Sequence, residues 1–300
     1  MKIAISGGTG MVGRKFSELL LATGHEVIIL TRGESHEARG IRYIQWLKDD
    51  AKPELQLESL DAFVNLAGVS LNDGRWTEKQ KEKIYASRMD STDEVLRIFH
   101  ALQQKPRVFI NASAVGIYPI SETAIYTEQS PEKAHDFLGT VVQQWEQHAV
   151  EAEKLGIRTC LTRFGVILAK DEGALPMMVL PYKLGVGGTI GSGAQWISWI
   201  HVDDVARALL FVIENEELSG PVNFTTPNVK RMKSFGKAIG TALHRPHWFP
   251  VPAAMLKLAL GEQSVLVLEG QHVLPEKLMN ANYEFQFVSI QDAIRDLYKS

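Results

Sequence analysis

The chain has 300 residues, 45% of them hydrophobic and 22% charged, with a formal net charge of −3 and a single cysteine. That composition belongs to a globular protein, with length for one large α/β domain or a domain plus a smaller appendage. The weak net charge, with no long like-charged run, gives no footing for nucleic acid or an anionic membrane; one cysteine excludes an intrachain disulfide, and no apolar run approaches the ~20 residues of a membrane span.

Residues 2–6 predict a short buried strand and residues 11–23 a helix, joined by Gly7-Gly8-Thr9-Gly10-Met11-Val12-Gly13. Glycines spaced three apart at a strand-to-helix turn permit positive φ and close backbone approach, and the helix start offers free N–H groups to a phosphate. Residues 1–20 therefore read as strand and helix and not as a signal peptide, and a reducing cytoplasm is expected. Gly24-His25 stops the helix before a second strand at 26–30; further strands are predicted at 42–46, 61–68 and 107–112, with a long helix over 78–103 ended by Pro106. Nearly continuous apolar strands separated by helices predict an α/β fold with a doubly wound parallel sheet of Rossmann type, its ligand crevice at the carboxyl ends of the strands.

The second half is less regular. A helix is predicted over 141–155, a strand over 158–168, a glycine-rich loop through 185–193, a helix over 203–215 and a short strand at 222–224. The tail from Ser234 predicts two or three helices around 246–252, a small, mostly helical C-terminal substrate or cap region. Domain limits are drawn at 1–230 for the dinucleotide-binding part, with substrate-region insertions from about 170, and at 231–300 for the remainder. Cys160, inside an apolar run, reads as a buried inert thiol.

Cofactor choice is written after the second strand, where an acid would hold the ribose 2′-hydroxyl of NAD and a base the 2′-phosphate of NADP. The chain has Leu30-Thr31-Arg32-Gly33 there, with no acid before Glu34, which favours NADP: Arg32 neutralises a phosphate and Thr31 adds a hydroxyl. The expected cofactor cradle is Gly7, Thr9, Gly10, Met11, Val12 and Gly13 of the turn, with Leu66, Ala67 and Gly68, small residues that let ribose or diphosphate lie on backbone. At the end of the fifth strand, Ser113 falls where a hydroxyl reaches a nicotinamide or a substrate carbonyl.

These stretches resemble the extended short-chain dehydrogenase/reductases, the NAD(P)-dependent epimerase/dehydratase superfamily. The glycine turn is similar to that group's fingerprint, as are Asn65-Leu66-Ala67-Gly68, Thr127-Glu128-Gln129-Ser130-Pro131 and Ile200-His201-Val202-Asp203-Asp204-Val205-Ala206. More narrowly, Gly74-Arg75-Trp76-Thr77, Ser87-Arg88-Met89, Ser113 to Tyr118, Trp145-Glu146, and Gly188 to Gly193 followed by Gln195 resemble the atypical "epimerase family" proteins of the YfcH type, related to the human family 39U member. That group's small C-terminal domain of unknown role is matched by Arg245-Pro246, Val251-Pro252, Leu260-Gly261-Glu262 and Leu274-Pro275. The resemblance spans essentially the whole chain and implies an epimerase-like or oxidoreductase activity on a small carbonyl or sugar-like molecule. Ser87 joins the expected cofactor set, as does Arg163, which from the strand over 158–168 is placed to clamp an anionic ligand; Arg163 pairing with a nearby acid stands as the alternative.

One departure limits the inference. Active superfamily members carry Tyr-x-x-x-Lys on the helix after the fifth strand, often with a glutamate four residues beyond the lysine. With Glu146 in that place, the tyrosine and lysine positions hold Leu138 and Val142, and no tyrosine or lysine occurs between Ala134 and Ala152. General acid–base catalysis typically contributes about 10²–10⁴-fold, so either another group has taken over or the fold binds NADP(H) without turnover, as a sensor or partner-binding module. Tyr118 is the best substitute proton donor, its competing role being an aromatic lid or packing residue. Glu128 and Glu146 stand as a base or ribose ligand against solvated carboxylates. Trp145 is expected to pack. Ser113, Tyr118, Gln195 and Trp199 are grouped as a substrate pocket. His201 with Asp203 and Asp204 superficially resembles a metal set, but acids at such a junction cap a helix, and no metal is expected. The expected partner is a small molecule, and a homodimer stays open as the assembly.

Overall fold

Short apolar runs, each followed by a helix, force successive strands to run the same way and bury both faces of the sheet they form. The computed structural model describes residues 1–299. Its first half comprises β1 (Lys2–Ser6), α1 (Met11–Ala22), β2 (Glu26–Thr31), β3 (His36–Ala38), β4 (Ile41–Gln45), β5 (Ala62–Asn65), α2 (Glu78–Ala101), β6 (Val108–Ala114), β7 (Ile125–Tyr126) and α3 (Phe137–Ala149). It continues with β8 (Arg158–Phe164), β9 (Val166–Leu168), α4 (Leu175–Lys183), β10 (Trp196–Ile197), β11 (Trp199–His201), α5 (Val202–Glu214), β12 (Gly220–Phe224) and β13 (Lys230–Arg231). The last part holds α6 (Met232–Ala242), α7 (Ala253–Leu260), α8 (Val265–Leu268), β14 (His272–Val273), α9 (Glu276–Asn280) and α10 (Ile290–Tyr298).

The main sheet has the order β12-β8-β6-β5-β1-β2-β4-β3, parallel throughout except for β3, which pairs antiparallel at the edge. This is a doubly wound Rossmann-type α/β sheet. The chain winds outward from β1 through β2 and then returns to β5 on β1's other side, so the crevice at the switch point opens between the carboxyl ends of β1 and β5. Alternation along the strands builds two cores. Ile3, Ile5, Val27, Ile29 and Ile110 pack with α1 and α5 side chains such as Phe16 and Leu209, whereas Ala4, Ile28, Phe63 and Phe109 pack with Val95 and Phe99 of α2.

A third core joins α4, Ile197 and Trp199 to α6 and α10 through Tyr182, Phe235, Ile290 and Ile294. The limit drawn at 231 therefore does not separate two packing units. The tail also returns to the first core: β14 pairs with β7, and Leu278 and Tyr283 are buried with the α1–α5 side of the sheet.

Two other expectations differ from the structure. The predicted strand over 158–168 breaks at Gly165, where a Cβ would lie 2.4 Å from the Ser198 carbonyl oxygen. The chain leaves the main sheet there, and β9 pairs with β11 instead. The stretch between 168 and 185, for which no element is predicted, contains α4, whose sequence Leu-Pro-Met-Met-Val-Leu-Pro-Tyr-Lys is apolar on nearly every side and contains Pro181; it offers no periodic contrast by which to recognise a helix. No helix among the described residues is long and apolar enough to cross a membrane.

Candidate functional site

The site begins at the β1–α1 turn. Gly7 has φ +70°, and a Cβ on it would lie 2.6 Å from the Leu66 carbonyl, while one on Gly13 would lie 2.5 Å from the Gly7 carbonyl oxygen. Glycine is needed at the first position for the left-handed backbone and at the second so that α1 can seat on the turn. α1 starts after Gly10 with no side-chain cap and no acid in its first turn, so its free N–H groups and positive dipole end stay available to an anion. They open onto a cavity of about 980 Å³, at the upper end of the range for small-molecule sites.

The cavity wall follows the sheet order. Gly7 and Gly10 to Gly13 form one end, Leu66, Ala67 and Gly68 the next stretch after β5, and Ala112 to Gly116 the stretch after β6. Thr31 and Arg32 lie just outside this lining, at the carboxyl end of β2 beside β1. Arg32 is exposed and has no hydrogen bond or ion pair among the described residues, and the Thr31 hydroxyl accepts from the Gly33 N–H at 3.1 Å. Thr9 is exposed; its carbonyl accepts from Arg14, which also pairs with Glu172 at the cavity wall.

Ser87 does not face the cavity. Its hydroxyl donates to the Ile84 carbonyl at 3.1 Å and accepts from the Val69 N–H at 3.0 Å, fixing the loop after β5 from behind. Its neighbour Arg88 is the cavity's missed residue. Arg88 rests over Gly68 and stacks on Trp145 at 5.1 Å, and one guanidinium nitrogen donates to the carbonyls of Ile84 and Val69. It has no carboxylate partner among the described residues, and burial pulls its guanidinium down to about 10. An uncompensated, largely desolvated cation on a cavity wall is a site for an anionic ligand. The sequence signal was present: Ile84, Arg88, Ser91, Thr92 and Val95 share one stripe of α2, the inward face, where a charge is out of place.

Behind the cavity a polar row crosses the sheet. Parallel register sets Ser113 of β6 beside Arg163 of β8, and Arg163 beside Asn223 of β12. Glu146 of α3 comes down onto this row. Its Oε1 accepts from Ser113 Oγ at 2.6 Å and from Arg163 Nε at 2.8 Å, and its Oε2 accepts from Arg163 Nη2 at 2.8 Å. Arg163 Nη1 donates to the Tyr118 hydroxyl at 2.7 Å, which donates to Asn223 Oδ1 at 2.9 Å. Despite the cost of burial, the Glu146 carboxylate holds Arg163 well above its ordinary range.

Three expectations are corrected here. Tyr118 is fully buried and does not line the cavity; burial raises its phenol, and Arg163 and Asn223 occupy its hydroxyl, so it cannot serve as the proton donor. Arg163 is 2% exposed and pairs with Glu146, so it clamps neither cofactor nor substrate. Ser113 does line the cavity, but its proton is directed at Glu146, an acceptor-only carboxylate, which leaves Oγ to accept from a ligand and not to donate to a carbonyl.

Leu138 and Val142 line the cavity one turn apart on α3. Gln195 and Trp199 stand outside the grouped pocket: Gln195 donates to the carbonyls of Ile190 and Val267, and the Trp199 indole to that of Asn228. Glu128 ties the tail to β12 by accepting from the N–H groups of Asn223 and Lys277. Trp145 lines the cavity and donates to Thr92. His201 Nδ1 caps α5 by accepting from the Asp203 N–H, the Asp203 carboxylate pairs with Lys15 at 2.8 Å, and Asp204 accepts from the N–H groups of Gln286 and Phe287. The far wall, contributed by Gln263, Val265 to Val267 and Gln271 of the tail, carried no periodic signal.

A doubly wound sheet with a glycine turn, an uncapped helix start and a cavity at its switch point defines a protein of the dinucleotide-binding α/β class. Residues 3–224 match the NAD dependent epimerase/dehydratase family and residues 251–297 a domain of unknown function, DUF1731. The chain belongs to the NAD dependent epimerase/dehydratase family, within the extended short-chain dehydrogenase/reductases. Epimerase family protein YfhF of Bacillus subtilis is 45% identical over 298 residues, covering 99% of this chain and 98% of its own. Epimerase family protein SH2119 of Staphylococcus haemolyticus is 43% identical over 294 residues, covering 98% and 97%. The solved structure of human epimerase family protein SDR39U1 (isoform 2) with NADPH is similar at a TM-score of 0.90 and 32% identity, covering 100% of both chains. UDP-N-acetylglucosamine 4-epimerase from Bacillus cereus has a TM-score of 0.77 at 17% identity, covering 99% and 98%, a likeness of fold alone.

Proposed function

We propose that this chain is an NADP(H)-dependent oxidoreductase or epimerase-like enzyme acting on a small hydroxyl or carbonyl compound. The observation that carries the reading is the set of anion sites along one cavity edge: the uncapped start of α1, Arg88 over Gly68, and the unpaired Arg32 beyond β2. Diphosphate on the first two and a 2′-phosphate on Arg32 fit the residues present, and the NADPH in the human relative supports the same assignment. A bound nicotinamide supplies a hydride donor or acceptor at its C4. Ser113 Oγ orients a ligand hydroxyl by accepting its hydrogen bond, and is the atom placed to take that proton while passing its own to Glu146 Oε1. Arg163 and the backbone hold this pair in position.

A second reading, a non-catalytic NADP(H) sensor, draws on one observation: Leu138 and Val142 present no proton donor to the cavity. Calorimetric titration with NADPH and NADH tests the cofactor assignment. Arg32→Asp should weaken NADPH binding far more than NADH binding, and equal losses overturn the choice of NADP. Absorbance of the reduced nicotinamide across an alcohol and carbonyl panel separates the two readings. Turnover abolished by Ser113→Ala with NADPH binding retained supports the enzyme; binding with no turnover across the panel supports the sensor.

A further inference from the structure

The cavity is longer than its phosphate-binding edge. Its wall also includes Leu138 and Val142 of α3, Leu256 of α7, and Val265 and Leu266 of α8. We infer that this half takes an alcohol that is largely apolar and carries no phosphate, so that its substrate is not a nucleotide sugar; the inference rests on the cofactor reading above.

Charge is the first ground. Arg75 and Arg88 are the cations lining the cavity among the described residues. Arg88 lies over Gly68, on the cofactor side. Arg75 donates to the carbonyls of Ala259 at 2.7 and 3.0 Å and Leu258 at 3.1 Å, which fastens the end of α7. The acids on the wall are Asp136, Glu172 and Glu269. Asp136 caps α3, Glu172 pairs with Arg14, and Glu269 has no ion pair among the described residues. A nucleoside diphosphate brings a negative charge on each phosphate. In this half it would be desolvated against aliphatic side chains with no free cation to meet it.

Hydrogen-bonding direction is the second. Gln271 Nε2 donates to the Tyr118 carbonyl at 3.0 Å and Gln263 Nε2 to the Leu71 carbonyl at 2.8 Å. A carbonyl only accepts, so both amides are fixed in orientation and each leaves its Oε1 over. With Ser113 Oγ these are acceptors. The complementary ligand supplies hydroxyl hydrogens, and the aliphatic wall covers its carbon skeleton.

The test uses the full chain saturated with NADPH, a state in which an alcohol binds without reacting. The probes, 1-phenylethanol and UDP-glucose, are titrated at matched concentrations by calorimetry and thermal shift. 1-Phenylethanol should bind and raise Tm, whereas UDP-glucose should do neither. Leu256→Asp and Leu266→Asp, on half-buried positions of the tail, should each weaken 1-phenylethanol by roughly 10-fold or more while NADPH affinity stays within about twofold. UDP-glucose binding to the loaded protein, or 1-phenylethanol binding untouched by both variants, overturns the inference alone. Failure of NADPH itself to bind overturns the cofactor reading, and this inference with it.

Discussion

Arg88 should stabilise the bound state at the expense of the free one, and Arg88→Met tests both signs together. Burial pulls the guanidinium down from its ordinary range to about 10, which corresponds to a cost on the order of 3 kcal/mol for keeping the charge in the free protein. The solvent that still reaches the side chain and its two carbonyl hydrogen bonds reduce the net gain on removing it to about 1–2 kcal/mol. Methionine keeps an apolar stem against Gly68 and Trp145. With an unfolding entropy near 2.1 cal/mol/K per residue, 300 residues give about 0.6 kcal/mol/K, so the free variant should melt roughly 2–3 °C higher. The same substitution removes a charge-assisted hydrogen bond to the ligand anion, worth about 1.5–3 kcal/mol, or roughly a 10- to 150-fold rise in Kd for NADPH. Differential scanning fluorimetry without ligand gives the first number and calorimetry with NADPH the second. A free variant that melts lower, together with unchanged NADPH affinity, would show that Arg88 is a structural residue and refute the reasoning.

Arg163→Met strands the buried Glu146 carboxylate and takes the donor from the Tyr118 hydroxyl; a loss of about 3–5 kcal/mol is expected in denaturant unfolding. The double variant Arg163→Met/Glu146→Leu should recover part of that loss, and a double variant no more stable than the single would remove the ion pair as the cause. Burial pushes the Glu128 carboxyl above its ordinary 4.5, and its Oε2 has no partner among the described residues. The folded state thus holds that proton more tightly than the unfolded state, a stabilisation present below the ordinary value and lost as pH rises through the folded one. Glu128→Gln should therefore gain on the native chain as pH rises above the ordinary carboxylate value, and a pH-independent difference rejects this. Cys160 is fully buried and burial pushes its thiol up to about 11; iodoacetamide should label it only as fast as the protein unfolds, and rapid labelling of the native protein counts against the packing described.

What was legible in the sequence was local. The β1–α1 turn could be read because a strand, three spaced glycines and the start of a helix lie within thirteen residues, and backbone geometry alone gives that pattern its meaning. Arg32 could be read because it follows β2 directly. The row of Ser113, Arg163 and Asn223 could not, since it exists only through the pairing of β6, β8 and β12, strands distant in sequence. Tyr118 shows the same limit from the other side. Its closeness to β6 in sequence suggested access to the crevice, but the three-residue 3-10 turn at Val115–Ile117 carries it beneath, against Tyr126 and Val273. The tail could be read as a substrate or cap region, but the residues by which it lines the cavity could not, because α7 and α8 are short and their apolar residues line a ligand space instead of a periodic core.

The apolar residues in the catalytic slots and the buried ion pair are two aspects of one rearrangement. Val142 packs with Ile117, Tyr118, Tyr126 and Val273, and the Arg163 guanidinium lies 5.1 Å from the Tyr118 ring. A lysine at 142 would bring a second cation toward Arg163, and the nearby carboxylate is already engaged on both oxygens: Glu146 accepts from Ser113 and doubly from Arg163. With the charge held inside the sheet row, α3 can turn leucine and valine to the cavity without leaving a buried ion unpaired. Polar function has thereby moved from the helix face into the sheet, and of that row Ser113 alone reaches the ligand space. The one member of the row at the ligand space, the Ser113 hydroxyl, has its own proton on Glu146 and is left to accept from a ligand. That direction of hydrogen bonding, more than the family's usual tyrosine, determines which functional groups the cavity can take.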